Sequence, residues 1–312
     1  MSAYSKVRSA AKNSDEHYKT TAARLEQIQA QLDNTPGVGK LKNKVCVVTG
    51  VNSLKGIGRA SALLFAREGA KHLYLIDYDP SNLPELKSTI EKKYPGVKVT
   101  TIEADAADEK AISSVCDQAL QEKGRLDVFF ANAGWASREP LTDTSAETFM
   151  KSMRINALSC FLAVKYASAA MAKPNASRGK EHSGGSIIMT ASVAGIRSGA
   201  GTVDYSASKA AVNSMAKTSA YQLQKTDIRV NSICPGLIET GMTGPTFEYA
   251  RQRGSVGKIG QLNPMGRFAV AEEIASAALF LASDDSSYVN GQNLAVDGGL
   301  SSSHPVVPGR WA

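Results

Sequence analysis

The sequence predicts an α/β fold with a doubly wound, mostly parallel sheet of about seven strands flanked by helices. Three observations carry this prediction. From position 41 onward, short apolar runs alternate with longer amphipathic stretches, the pattern of successive βαβ units. The apolar runs are continuous, as strands buried on both faces require. A glycine-rich turn, with Gly50, Gly56 and Gly58, separates the first apolar run from the first amphipathic stretch.

In order, the strands are expected at 45–49, 73–76, 97–102, 128–131, 186–191, 228–233 and 293–296. Helices are expected at 57–68, 108–123, 148–171, 206–224 and 271–281. These elements form one domain over 41–300. Residues 1–40 read as a polar N-terminal extension. A helix is expected there over 14–32, where Leu25, Ile28 and Leu32 recur at i, i+3 and i+7, until Asn34, Pro36 and Gly37 break it. Residues 173–185 (KPNASRGKEHSGG) read as a hydrophilic surface loop, and 301–312 as a tail without periodicity. The polar stretch 243–260 reads either as a mobile lid or as a plain surface loop. Its Arg251, Arg253 and Lys258 point weakly to a polar or anionic substrate.

Of the 312 residues, 43% are hydrophobic and 21% charged, which provides for a core and argues against global disorder. No apolar run is long enough to span a membrane, and the N-terminus lacks the apolar core of a secretory signal. Asp15 and Glu16 argue against a transit peptide, and Arg310-Trp311-Ala312 is not a peroxisomal address. The net charge of +7 is interleaved with acids along the body. That describes a solvated surface, so neither nucleic acid nor membrane is expected as a partner. Cys46, Cys116, Cys160 and Cys234 are far apart and show neither metal-ligand nor disulfide spacing. They read as small buried hydrophobes in a reducing, cytoplasmic compartment, with no metal site.

The first strand, the glycines and the helix that opens with Ile57 form the context in which backbone amides approach a pyrophosphate. This gives a Rossmann-type reading, with Gly50, Gly56, Ile57 and Gly58 as cofactor-binding residues. Asp77 ends the second strand, nineteen residues after Gly58. A carboxylate there accepts hydrogen bonds from ribose hydroxyls and repels a 2′-phosphate, so NAD is favoured. Lys55 in the turn and Arg59 at the helix start keep NADP open, whereas position 78 is Tyr and supplies no phosphate clamp.

Hydride exchange with a carbonyl needs a proton donor or acceptor beside the oxygen. A tyrosine serves when a cation beside it favours its anion, and Tyr and Lys at i and i+4 share a helix face. A hydroxyl from another element then holds the carbonyl oxygen. The spacing Ser, twelve residues, Tyr, three residues, Lys occurs three times: Ser81/Tyr94/Lys98, Ser192/Tyr205/Lys209 and Ser208/Tyr221/Lys225. In the first set Pro95-Gly96 prevents a helix between Tyr and Lys. In the third, Ser208 lies on the same helix as its Tyr. In the middle set alone, Ser192 follows an apolar run at a strand's carboxyl end and Tyr205 opens the next helix.

With these residues in place, the chain resembles the short-chain dehydrogenases/reductases from Leu41 to about Leu300. The motifs are Gly56-Ile57-Gly58, Ala131-Asn132-Ala133-Gly134, Ser192, Tyr205-Ser206-Ala207-Ser208-Lys209, Pro235-Gly236 with Thr240, and Val296-Asp297-Gly298-Gly299. The resemblance implies Tyr205 as general acid/base, Lys209 as its partner and a nicotinamide-ribose ligand, and Ser192 as the residue that positions the substrate oxygen. It implies that Asn156 holds a water linking Lys209 to solvent, that Asp105 meets the adenine, Asn132 the ribose region and Thr240 the carboxamide. It also places Gly134, Pro235, Gly236 and Ile238 along the cofactor. Other readings stay open: Asn132 and Asn156 as partners of buried backbone groups, and Thr240 as a helix N-cap. One departure is that five residues, 51–55, stand between Gly50 and Gly56 where the family usually has three.

The function expected is hydride transfer between a nicotinamide cofactor, NAD favoured, and a small secondary alcohol or ketone. An NADPH-dependent carbonyl or 3-oxoacyl reductase is the near alternative. A non-catalytic dinucleotide-binding scaffold is the alternative of another class. The family further implies a homo-oligomer, tetramer or dimer, with contacts through the regions 148–171, 206–224 and 291–299.

Overall fold

Val45–Thr49 is five apolar or β-branched residues, all buried, and forms β1. It pairs in parallel with β2 (His72–Asp77) on one side and β4 (Val128–Ala131) on the other. The computed structural model, which describes residues 14–303, continues this into one seven-stranded parallel sheet of order β3-β2-β1-β4-β5-β6-β9. The others are β3 (Lys98–Glu103), β5 (Gly185–Thr190), β6 (Ile228–Pro235) and β9 (Asn293–Val296); two shorter strands, β7 (Ile238–Glu239) and β8 (Ala269–Val270), pair separately. The readings made for 1–13 and for 304–312, Arg310-Trp311-Ala312 included, lie outside the described residues.

The order reverses between β1 and β4, so the connections leaving their carboxyl ends diverge and open a crevice. Each strand alternates its side chains between two cores. Cys46 and Val48 face α2 (Ile57–Arg67), α3 (Leu83–Lys93) and α9 (Ala271–Ala282), packing with Phe65, Leu86, Ile90 and Leu281. Val45 and Val47 face α4 (Glu109–Lys123), α6 (Ser159–Met171) and α7 (Val203–Gln222), packing with Ile112, Leu162 and Val212. All four cysteines are buried and unpaired. Burial pushes their thiols up, that of Cys116 to about 12.

The N-terminal helix α1 (Ser14–Asn34) is docked on the body. Leu25, with Tyr18 and Ile28, enters a third core made by Phe247, Ala250, Val256, Phe268 and Val270. Thus 243–260 is not a plain polar loop. It contains α8 (Gly244–Gln252), whose buried Phe247 and Ala250 belong to the core that Leu25 of α1 enters. The linker is tied down by Glu68, whose Oε2 accepts the N–H groups of Val38, Gly39 and Lys40 at 3.1, 3.1 and 3.3 Å.

The 173–185 loop is exposed or half-buried except at Lys180, which is 6% exposed and donates from Nζ to the Leu126 carbonyl at 2.8 Å. The adjoining Arg125 forms a bidentate pair with Asp127 (2.8 Å twice) and also holds the Arg178 and Gly179 carbonyls. The loop is therefore pinned beneath the sheet. Burial, reinforced by Arg125 and Lys44 and opposed by Asp127, pushes the Lys180 ammonium down to about 8. Its folded value lies below its unfolded one, so between about pH 8 and 10 the unfolded chain binds the extra proton. Lys180's contribution to stability should rise with pH across that window. Denaturant unfolding of wild type and Lys180→Met should show their difference moving in wild type's favour; a pH-independent difference would refute this.

Candidate active site

The crevice begins at Gly50, which follows β1 with φ at +73°, where a side chain would be strained. A Cβ on Gly58 would lie 2.3 Å from the Gly50 carbonyl oxygen and 2.7 Å from Asn132 Nδ2, so β1, α2 and the end of β4 meet too closely for any other residue. Gly56 is the N-cap of α2 and makes no side-chain cap, which leaves Ile57 and the first turn with uncapped N–H groups. The arrangement is a cradle of backbone donors with a helix N-terminus behind it, and it fits a pyrophosphate.

At the end of β2, Asp77 Oδ2 accepts the Asn52 N–H (2.8 Å) and Oδ1 accepts the Asp79 N–H (3.1 Å). Each oxygen keeps acceptor capacity for a ribose hydroxyl. The two cations that kept a 2′-phosphate in play are both engaged. Lys55 Nζ lies 3.1 Å from Glu239 Oε1, and Arg59 pairs with Glu85 on α3. Asp105 accepts from Ala107 N–H at 2.8 Å and from Arg154 Nη2 at 2.7 Å.

Beyond β4, Asn132 Nδ2 donates to the carbonyls of Thr49 (3.1 Å) and Gly50 (3.0 Å), and its Oδ1 accepts from Thr190 Oγ1 (3.0 Å). Its amide thus links three strand ends, as the buried-backbone reading describes.

The helix expected over 148–171 is interrupted. α5 (Ala146–Ser152) runs into a π-helical turn, Met153–Leu158, before α6 begins. Asn156 sits in that turn, fully buried. Its Oδ1 accepts the Trp135 N–H, and its Nδ2 donates to the Trp135 carbonyl and to Ser208 Oγ, at 2.8, 2.8 and 2.9 Å. Widened turns of this kind concentrate at functional sites. This one lets a helical side chain bond the loop that follows Gly134.

Tyr205 and Lys209 lie in the first two turns of α7, with the Lys209 Nζ 5.5 Å from the Tyr205 ring centre. Lys209 is 2% exposed and donates to the Thr190 carbonyl (2.7 Å), two residues before Ser192. A Cβ on Gly134 would stand 3.4 Å from Nζ and 3.2 Å from Asn156 Oδ1, so these groups gather around one glycine. Ser192 Oγ accepts the Ala194 N–H at 3.1 Å, which leaves its own O–H to donate. The other two Ser/Tyr/Lys sets are not assembled: Lys98 opens β3, and Lys225 lies beyond the end of α7 with φ at +64°.

The segment after β6 crosses in front. Gly236 packs on Asp297, where a Cβ would meet Cα at 2.8 Å; Ile238 is buried in β7. Thr240 N–H donates to Thr243 Oγ1 (2.9 Å), and Thr243, not Thr240, is the N-cap of α8. The hint of an anionic substrate weakens, because Arg251 pairs with Glu239 and Arg253 lies over the Tyr249 ring and bonds its hydroxyl at 2.9 Å.

Sequence reasoning missed Asp204 and the bridging role of Ser208. Asp204 is buried in the first turn of α7, and its Oδ1 accepts from Ser137 Oγ at 2.7 Å. Burial raises its carboxyl, but hydrogen bonds from Ser137, Thr202 and Ser152 and the Tyr205 N–H outweigh this and hold it below the usual carboxylate range. Ser208 donates to the Tyr205 carbonyl at 2.7 Å while accepting from Asn156. An acid in a helix's first turn was the one local signal for Asp204; Ser208 had none.

A sequence profile described as Enoyl-(Acyl carrier protein) reductase matches residues 50–301. The 3-oxoacyl-acyl-carrier-protein reductase FabG of Thermotoga maritima is 39% identical over 261 residues, covering 84% of this chain and 99% of the relative. A crystal structure of levodione reductase superposes with a TM-score of 0.75 at 32% identity, over 85% of this chain and all of that one. A short-chain type dehydrogenase/reductase of Mycobacterium marinum superposes with a TM-score of 0.72 at 31% identity, over 83% of this chain and 96% of its own. The chain belongs to the short-chain dehydrogenase/reductase family.

As a short-chain dehydrogenase/reductase, it is an oxidoreductase acting on CH–OH or carbonyl groups. The doubly wound parallel sheet predicted from the sequence is the fold of its solved relatives. Among the described residues, no helix of this short-chain dehydrogenase/reductase is long and apolar enough to cross a membrane.

Proposed function

We propose that this protein transfers hydride between NAD and a small secondary alcohol or ketone, with Tyr205 as the proton-transfer residue. The observation that carries this is the gathering of Tyr205, Lys209 and Ser192 at the carboxyl end of β5, next to the glycine cradle. When bound, the nicotinamide supplies or takes the hydride. Gly50, Gly56, Ile57, Gly58 and Gly134 would line its pyrophosphate and ribose, with Pro235, Gly236, Ile238 and Thr240 toward the carboxamide. Asp77 would take the adenosine ribose hydroxyls and Asp105 the adenine.

Ser192 donates its hydroxyl to the substrate oxygen and holds it at Tyr205. Tyr205 Oη gives its proton to that oxygen in reduction and takes it in oxidation. The buried Lys209 ammonium stabilises the phenolate left behind. Asn156 fixes the loop after Gly134 and, with Ser208, the start of α7. Engagement of Lys55 and Arg59 by carboxylates, together with the free acceptor capacity of Asp77, favours NAD over NADP.

A second reading, an NADPH-linked 3-oxoacyl reductase, draws on the likeness to the Thermotoga maritima relative of that name. The two separate by progress curves of nicotinamide absorbance, run with secondary alcohols and polyols in one direction and ketones and 3-oxoacyl thioesters in the other. Faster turnover with NAD(H) at sub-saturating cofactor is expected. Faster turnover with NADPH across the panel would favour the second reading. Cofactor binding with no turnover of any substrate would favour the scaffold.

The exposed Met150, Leu158 and Phe161, with Met153 and Met215, form an apolar face on α5 to α7 that fits a second copy of the chain, in a homodimer or tetramer. The four unpaired, buried cysteines fit a reducing, cytoplasmic compartment.

A further inference from the structure

We propose that Glu239 is the hub of an electrostatic latch that joins the glycine turn to the segment crossing it and slows release of the dinucleotide. The proposal rests on the reading above that the crevice binds a nicotinamide dinucleotide.

Three separate segments meet at one carboxylate. Lys55 comes from the lengthened turn, Glu239 from β7 and Arg251 from α8. Lys55 Nζ lies 3.1 Å from Glu239 Oε1, and Arg251 Nη2 donates to that same oxygen. The Glu239 side chain is 14% exposed and that of Lys55 67%, so the carboxylate is the fixed member and the lysine the arm that reaches it. Lys55 stands in the turn between Gly50 and Gly56, directly before the N-cap of α2.

A second contact lies two residues further along. A Cβ on Gly241 would stand 2.7 Å from Ser53 Oγ, so the backbone after Glu239 rests on the turn itself. The crossing segment is thereby held to the turn at 239 and at 241, with Thr240 between. α8 shares a core with α1, in which Phe247 and Ala250 are joined by Leu25. A dinucleotide seated on the glycine cradle lies under this crossing. It leaves when the crossing lifts, and lifting it carries Glu239 and Arg251 away together and so breaks the Lys55–Glu239 pair. Ion pairs with an exposed member are weakened by salt, so the latch is salt-sensitive.

The test is the dissociation rate of NADH, followed by stopped-flow fluorescence with an excess of non-fluorescent NAD as chase, at low and high ionic strength. Wild type should release NADH faster as salt rises. Lys55→Met should release about threefold faster at low salt and lose part of the salt dependence. Glu239→Gln, which takes the carboxylate from both Lys55 and Arg251, should release about tenfold faster, and Lys55→Arg should stay near wild type. Lys55 is exposed, so its variants report even if Glu239→Gln folds poorly. Wild-type release rates in Lys55→Met with an unchanged salt dependence would overturn the latch and leave dinucleotide binding intact. Failure of wild type to bind NADH or NADPH at all would overturn both.

Discussion

Tyr205→Phe should bind NADH as wild type does and lose turnover by about 10²–10⁴-fold, the range that a positioned proton donor supplies. The variant removes one oxygen and leaves the ring, which a Cβ on Gly201 would approach at 2.9 Å, in its place. The glycine cradle and Asp77 are untouched, so the fall should appear in kcat while the NADH dissociation constant stays put. Steady-state rates and a fluorescence titration on the same preparation measure both. Near wild-type turnover would mean that another group handles the proton.

Lys209→Met should cut turnover by about 10²–10³-fold, the scale for losing one preorganised electrostatic group. It should also weaken nucleotide binding. Lys209 Nζ lies 5.5 Å from the Tyr205 ring centre, donates to Thr190 and would stand 3.4 Å from a Cβ on Gly134. Methionine keeps the unbranched stem in its buried slot and removes the charge. Thermal unfolding separates loss of fold from loss of function. Retention of both turnover and affinity would remove Lys209 from the mechanism.

β1, β2, β4 and β5 were legible as apolar runs, because a parallel sheet covered by helices buries both faces, whereas the edge strands β3 and β9 are only partly buried and β6 carries Arg229 and Asn231 within it. β7 and β8 were not, since two residues carry no period. The π turn at Asn156 was hidden because its cause is tertiary: the side chain bonds Trp135, twenty-one residues away, while the local composition stays helical. Leu25 and Ile28 predicted a helix but could not name Phe268, or Phe247, which sits in a stretch that reads as polar. Lys180 read as surface because nothing local reveals that Leu126 takes its ammonium. Tyr205 and Lys209 stood out because i and i+4 on a helix fix their geometry, and the rival sets fell to local rules, Pro-Gly in one and a serine on the tyrosine's own helix in the other. Glu239 and Lys55 are 184 positions apart, and no spacing rule brings them together.

The central claim, a nicotinamide dinucleotide on the glycine cradle with its adenosine ribose at Asp77, is tested most directly by the dissociation constants of the purified protein for NADH and NADPH, measured by fluorescence titration. Saturable binding of both with NADH the tighter is the predicted result. Tighter NADPH binding would contradict Asp77 as the ribose acceptor, and no saturable binding of either would contradict the site itself.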